Sequence, residues 1–373
     1  MTTREGGGGV LAIGPLPPPV HGYSLITARV VERLQRITTV EVLDLSPGTM
    51  VRGWRYHATR AGRVARALWR LARRQAHGRT LYLAIAGGTG VFYDLAFVLA
   101  ARWRRYRIVI HHNAFSYLNR RSAGTAALIA LAGGETLHIC LCPMMARRLA
   151  EQYPTAVKRL VLSNAALVPP LPAPPSRPAR SGIRLGFLSN LMPEKGLDTA
   201  ITVTATLRER GAAVSLVVAG PTVDRSGERL LEDAKMRLGD ALDYRGAVHG
   251  PAKMAFFADV DVLLFPSRYA NEAQPLVVLE AMAHGVPVVA AARGCIEGDI
   301  GRAGLAVPSA GNFVEISVDA ISNWLADPSQ LAFLVAASRG RAADQHNASA
   351  SELDRVISAI AETSPDASGA RPS

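Results

Sequence analysis

Residues 271–290 read NEAQPLVVLEAMAHGVPVVA. Pro275 suits the first position of a helix, where a missing N–H costs nothing. Leu276, Val277, Leu279, Ala281, Met282 and Ala283 follow, and Glu280 is almost the only polar group among them. Gly285 supplies the stop, and Val286-Pro287-Val288-Val289 reads as the next buried strand. Glu272 therefore falls in the loop before an apolar helix, and Glu280 in its second turn. At a rise of ~1.5 Å per residue, the two carboxylates reach opposite ends of one elongated ligand. Between them lie the unpaired N–H groups of the first helical turn, an anion site. A phosphate at those N–H groups with hydroxyls at both flanking carboxylates describes a nucleotide-sugar.

A strand, a polar turn and a helix leading to another strand form the repeating unit of an α/β protein, and the rest of the chain extends that unit. Residues 10–13 (VLAI) form a buried strand, followed by the loop GPLPPPVHG at 14–22 and a helix from about Ser24. Leu25, Ile26, Val30, Val31 and Leu34 give that helix its apolar side. Strands near 40–45 and 80–85, a helix over 91–103 and a strand over 107–111 that ends on His-His-Asn continue the alternation. After the proline-rich stretch 168–182 the pattern restarts. Strands are predicted at 183–190, 214–221, 241–246 and 262–267, with helices at 197–209, 228–238 and 250–258 between them. Such alternation predicts two parallel, doubly wound sheets. The expected organisation is an N-terminal domain over 1–167, a stiff linker over 168–182 and a C-terminal domain over 183–340. A helical segment over 341–362 and a disordered tail over 363–373 complete it.

The length of 373 residues and the apolar fraction of 49% suit two folded cores. Cys140, Cys142 and Cys295 are too few for a disulfide framework, so a reduced, cytoplasmic setting is expected. No signal peptide or spanning helix is predicted. The net charge of +12 is uneven. Residues 1–175 carry 23 Lys/Arg against 7 Asp/Glu, whereas residues 176–373 carry 19 against 23. Between Leu45 and Tyr93 there is no acidic residue but nine arginines, interleaved with Trp54, Tyr56 and Trp69. Helical spacing gathers Ala61, Val64, Ala65, Leu68, Leu71 and Ala72 on one side, with arginines largely on the other. A basic amphipathic helix with tryptophans over 52–79 predicts attachment to an anionic membrane surface, on the inner face of the plasma membrane.

With its strand, proline and glycine frame, Glu272-x7-Glu280 resembles the donor-site hallmark of the family 4 retaining glycosyltransferases of GT-B fold. GPLPPPVHG, SNLMPEKGLD at 189–198 and the strand ending on His111-His112-Asn113 fall in the family's order, so the resemblance covers nearly the whole chain. It implies two Rossmann-like domains facing each other across a cleft, the N-terminal one binding the acceptor and the C-terminal one the nucleotide-sugar, with transfer of a sugar from that donor and retention of configuration. It implies that Glu272 meets the donor sugar and Glu280 the ribose. The backbone around Gln274, Pro275, Leu276 and Val277 would take the diphosphate, and Lys195 would put a compact positive charge against the leaving group. The family's arginine five residues before that lysine is Asn190 here, which removes one charge. Gly22 would face the donor, and His112 rather than His111 would reach the sugar. No cofactor is implied beyond the donor itself. The acceptor is expected to be a lipid-linked or membrane-proximal glycan in surface polysaccharide synthesis.

Asp259-x-Asp261 precedes VLLFPS, at the end of that strand away from the ligand edge, so no metal site is expected there. Two other readings fit less of the chain. A GT-B sugar-nucleotide epimerase needs acids and bases over the sugar, which the loop 14–22 and His112 do not evidently supply. A basic nucleic-acid-binding protein would explain the N-terminal charge and leave the Glu272–Glu280 pattern unused, so no nucleic-acid partner is expected.

Overall fold

The computed structural model describes residues 9–49, 53–73, 78–168 and 182–362. The chain divides into two compact units, one of residues 1–163 with 349–373 and the other of residues 164–348. The first break thus falls at Ser163, a few residues before the expected boundary. The linker expected over 168–182 and the tail over 363–373 lie almost entirely outside the described residues. The C-terminal segment is one helix, Pro328–Ala361, and its residues from 349 onward belong to the first unit.

In the first unit, β1 (Val10–Gly14), β2 (Val40–Asp44), β3 (Thr80–Ile85), β4 (Arg107–His112), β5 (Leu137–Cys140) and β6 (Lys158–Val161) form one parallel sheet. Its order is β2-β1-β3-β4-β5-β6. β1 and β3 are buried along their whole length, as strands covered by helices on both faces must be. The helix Gly22–Gln35 buries Ile26, Val30, Val31 and Leu34. The helix Trp54–Arg73 buries a narrower side than its sequence suggests: Val64, Ala67 and Leu71 are inside, whereas Ala61 and Ala65 are exposed.

In the second unit, β7 (Ile183–Leu188), β8 (Val214–Ala219), β9 (Leu242–Tyr244), β10 (Val262–Phe265), β11 (Val288–Ala291) and β12 (Gly304–Val307) are again all parallel. The order is β12-β11-β10-β7-β8-β9. Helices Leu197–Glu209 and Phe313–Ala326 pack on one another and, with Arg225–Leu238, bury Leu197, Ile201, Val218, Leu264 and Ile321 in one core. Phe256, Phe257, Val278, Met282 and Ile296 fill a second.

The strand orders fix where a crevice opens in each unit. Chain direction across an open α/β sheet reverses between two neighbouring strands, and the loops leaving their carboxyl ends diverge to open a crevice. In the second unit that switch lies between β7 and β10, and in the first between β1 and β3. The loop after β7 carries Asn190 and Lys195; the loop after β10 carries Glu272. The loop 14–22 follows β1.

Candidate donor site

The two loops at the β7/β10 switch are laced together by one arginine. The Arg268 N–H donates to the Glu194 carbonyl at 2.7 Å, and its guanidinium reaches Asp198, Thr199 and the Pro193 carbonyl at 2.7–2.9 Å. Gly196 ends the turn Pro193–Lys195 with φ +84°, and a Cβ there would lie 2.3 Å from the Pro266 carbonyl. Only glycine combines that left-handed backbone with so close an approach. The result is to bring Lys195 against the loop after β10.

There the Lys195 ammonium lies 2.7 Å from Glu272 Oε2, over the Tyr269 ring at 4.6 Å. The Ser267 hydroxyl, fully buried, donates to the same Glu272 oxygen at 2.7 Å. Both donors use one carboxylate oxygen. Behind Glu272 the chain is clamped, since Cys295 N–H donates to the Ala273 carbonyl at 2.7 Å. A Cβ on Gly294, at φ +55°, would lie 2.2 Å from that same carbonyl. Glu280 stands in the second turn of the helix Leu276–Ala283, as its sequence position predicts. Its carboxylate pairs with the Lys253 ammonium at 2.5 Å, from the helix Gly250–Asp259.

Pro275 is the residue before the helix and has no N–H to give, so the first-turn donors are those of Leu276 and Val277. Gln274 is a brace. Its side chain accepts from Asn164 N–H at 2.7 Å and donates to Asp299 Oδ1 at 2.8 Å, and its carbonyl accepts from the Asn164 amide at 2.8 Å. Burial pushes the Asp299 carboxyl up to about 7, against the lowering effects of Gln274 and Arg341. Asn190 stands just past the end of β7, where its carbonyl accepts from Met192 N–H at 2.9 Å.

Asp259 and Asp261 serve the fold. Asp261 accepts from the Arg184 N–H at 2.8 Å, while Asp259 is paired with the guanidinium groups of Arg184 and Arg245. The latter two arginines also hold Asp243 at 2.8 Å.

In the first unit, the rings of His111 and His112 are both buried. His112 meets the Tyr117 hydroxyl at 2.9 Å through Nδ1 and His138 at 3.0 Å through Nε2. His111 meets the Tyr82 hydroxyl at 2.7 Å. Burial holds His111 and His138 down at about 4, and His112 well below the usual histidine range, with His138 adding to the shift. A strand buried on both faces gives every ring a neighbour, and period-2 alternation cannot show this. Gly22 begins its helix with no atom within 4 Å of where a Cβ would stand, whereas Gly14 is crowded by Thr27 and Ala84 at 3.0 and 3.2 Å. The close internal packing at this loop is made at Gly14.

Ser267, Tyr269, Gly294 and Lys253 are site residues that the sequence does not single out. The FPS turn before Glu272 was the one available signal for Ser267; the others become neighbours of the carboxylates only through the sheet.

Residues 182–327 match the family described as Glycosyl transferases group 1. The chain is 32% identical over 161 residues to a GDP-mannose-dependent alpha-(1-6)-phosphatidylinositol monomannoside mannosyltransferase of Mycobacterium tuberculosis. That alignment covers 41% of this chain and 40% of that protein. It is also 32% identical over 121 residues to a D-inositol 3-phosphate glycosyltransferase of Salinispora arenicola, covering 30% of this chain and 27% of that one. The chain thus spans well under two thirds of the relatives it matches. In fold it is similar to sucrose-phosphate synthase from Thermosynechococcus elongatus, with TM-score 0.70 and 15% identity over 94% of this chain and 99% of that one. It is likewise similar to Anabaena HepE in complex with UDP-glucose, with TM-score 0.68 and 15% identity over the same shares of the two chains. The fold is that of GT-B glycosyltransferases, and within the second unit residues 182–327 are similar to the group 1 glycosyltransferases.

Proposed function

We propose that this protein is a retaining glycosyltransferase that moves a sugar from a nucleotide-sugar to a lipid-linked or membrane-proximal glycan in surface polysaccharide synthesis. The observation that carries the reading is the Glu272–Lys195–Ser267 cluster at the sheet's switch point, in the loop that leads into the helix starting at Leu276. In the reaction, the bond from the sugar's anomeric carbon to the diphosphate breaks. A bond to the acceptor oxygen forms on the same face, and the acceptor's proton passes to the leaving phosphate oxygen. Lys195 and the helix N–H groups then stabilise the growing negative charge, and Glu272 holds the sugar hydroxyls. Similarity to proteins described as acting on phosphatidylinositol mannosides and on inositol phosphate supports a lipid-linked or phosphorylated acceptor. Release of free nucleoside diphosphate in step with acceptor glycosylation tests the activity.

Transfer is expected to persist in excess EDTA. Asp259 and Asp261 are held by arginines, and Lys195 with the helix terminus supplies positive charge where a metal would otherwise be needed. Loss of activity restored by magnesium or manganese would overturn this.

Attachment to an anionic membrane surface is supported by the helix Trp54–Arg73. Opposite its buried side, helical spacing places Trp54, Arg55, Arg66, Trp69, Arg70 and Arg73 together, and all six are exposed. Arg73 stacks over Trp69 at 4.5 Å. Arg63 is spent on Asp44, and Arg52 and Arg74 lie outside the described residues. The neighbouring helix Val91–Trp103 exposes Phe92, Leu99 and Trp103 on one stripe. Among the described residues no helix is long and apolar enough to cross a membrane. Four exposed arginines at about 1 kcal/mol each near an anionic surface give on the order of 4 kcal/mol. The protein is expected to sediment with anionic vesicles at low salt and not with neutral ones. Changing Arg55, Arg66, Arg70 and Arg73 to glutamine is expected to abolish that; equal, negligible binding to both vesicle types would remove the membrane surface from the proposal.

A further inference from the structure

Only four of the 42 basic residues are lysine: Lys158, Lys195, Lys235 and Lys253. Two of those four hold the two carboxylates of the donor pair. Lys195 lies 2.7 Å from Glu272 and Lys253 2.5 Å from Glu280, and both pairs are largely buried. Elsewhere in the second unit the close carboxylate pairs are made by arginine, as in Arg184, Arg245 and Arg268. A chain that otherwise prefers guanidinium therefore places an ammonium at both ends of the donor site.

The two cations differ in what they leave free. A guanidinium presents a planar fork that takes both oxygens of a carboxylate, whereas an ammonium is a compact point charge that takes one. Lys253 meets Glu280 through Oε2, as Lys195 and Ser267 meet Glu272 through Oε2. Each carboxylate is thereby fixed by one oxygen and has charge compensation without losing its second oxygen. Glu280 needs that compensation, because its helix is otherwise built of Leu276, Val277, Val278, Leu279, Ala281, Met282 and Ala283.

We propose that Lys253 is a positioning residue for the nucleoside end of the donor. It holds Glu280 by Oε2 so that Oε1 is presented to a ribose hydroxyl. This rests on the reading of Glu280 as the ribose-binding carboxylate. A hydroxyl donating to an ionised carboxylate makes a stronger hydrogen bond than one donating to a neutral acceptor, so both orientation and charge matter.

Dissociation constants of GDP and UDP, and of their 2′-deoxy and 3′-deoxy forms, test the proposal in the wild type and in Glu280→Gln, Lys253→Met and Lys253→Arg. Melting temperature and the donor's KM and kcat are followed in parallel. The wild type is expected to bind a ribonucleotide roughly 10- to 100-fold more tightly than the form lacking the recognised hydroxyl. In Glu280→Gln and Lys253→Met that ratio is expected to fall to within about 2-fold, with KM for the donor raised roughly 10-fold and kcat at saturating donor little changed. Lys253→Arg is expected to keep the melting temperature and still lose the ratio, because its fork competes for Oε1. A purely structural ion pair would be rescued by arginine and would leave ribose and deoxyribose equally affected. Full discrimination retained in Lys253→Met or Lys253→Arg, with Glu280→Gln losing it, would overturn the role of Lys253 alone. No discrimination in the wild type would overturn the ribose reading of Glu280, and the proposal with it.

Discussion

Glu272→Gln is expected to lower kcat by a factor on the order of 10² to 10³ while moving the melting temperature by no more than a few degrees. The carboxylate accepts from both the Lys195 ammonium and the Ser267 hydroxyl through one oxygen. An amide keeps the shape and can still accept there, but it carries no charge to answer Lys195 and turns the second position into a donor. A sugar hydroxyl that needs an acceptor then meets an N–H, and Lys195 is no longer held in the direction of the diphosphate. Because Glu272 lies in a loop whose backbone is clamped independently, through Ala273, Cys295 and Gly294, the fold does not depend on the charge. Initial rates at saturating donor, followed by nucleoside diphosphate release, measure the effect. Turnover near the wild-type value would remove Glu272 from the reaction and with it the proposed site.

Acidification is expected to destabilise the first unit through its buried histidines. His111 and His138 titrate at about 4 when folded against an ordinary value of 6.5, in both cases chiefly because burial disfavours the charged form. A depressed folded value means that the unfolded chain takes up protons first. The stability held by these groups is therefore complete above pH 6.5 and is lost as the pH falls towards 4. At about 1.4 kcal/mol per pH unit, each contributes a loss of about 2 kcal/mol by pH 5, and His112 acts in the same direction. Asp94 opposes them. Burial raises its carboxyl to about 7, with Arg60 pulling the other way, so its contribution is present below 3.8 and lost as the pH rises through 7. On going from pH 7.5 to 5 it returns about 2 to 3 kcal/mol, leaving a net loss of roughly 1 to 2 kcal/mol from His111 and His138, to which His112 adds. Urea unfolding at the two pH values measures this, and Asp94→Asn is expected to steepen the acid loss by removing the opposing group. A first unit equally stable at both pH values in wild type and variant would contradict this account of the buried rings.

Much of this was legible in the sequence because it depends on local chemistry. The order of strands and helices follows from apolar runs and their breaks; Gly285 marks the end of its helix, and the strand read from Val286 to Val289 stands two residues later, at Val288–Ala291. The separation of Glu272 and Glu280 on either side of a helix start is likewise a matter of spacing. Boundaries were less secure: Pro275 moved one place outward, and the side of Trp54–Arg73 that is buried proved narrower, since an alanine is as easily exposed as covered.

The sequence by itself determined two doubly wound units, the carboxylate pair and the lysine of the 189–198 loop, since periodicity, turn residues and motif spacing are properties of neighbouring residues. The tertiary structure alone decided which groups meet. Lys195 is 77 positions from Glu272, and Lys253 is 27 from Glu280; parallel pairing of β7 with β10 and packing of one helix on another remove those separations. The pairing of β4 with β5 likewise makes His112 a partner of His138, 26 positions away. Spacing along the chain cannot show this, because long-range contacts are set by sheet order, and sheet order is fixed by how all the helices cover both faces at once.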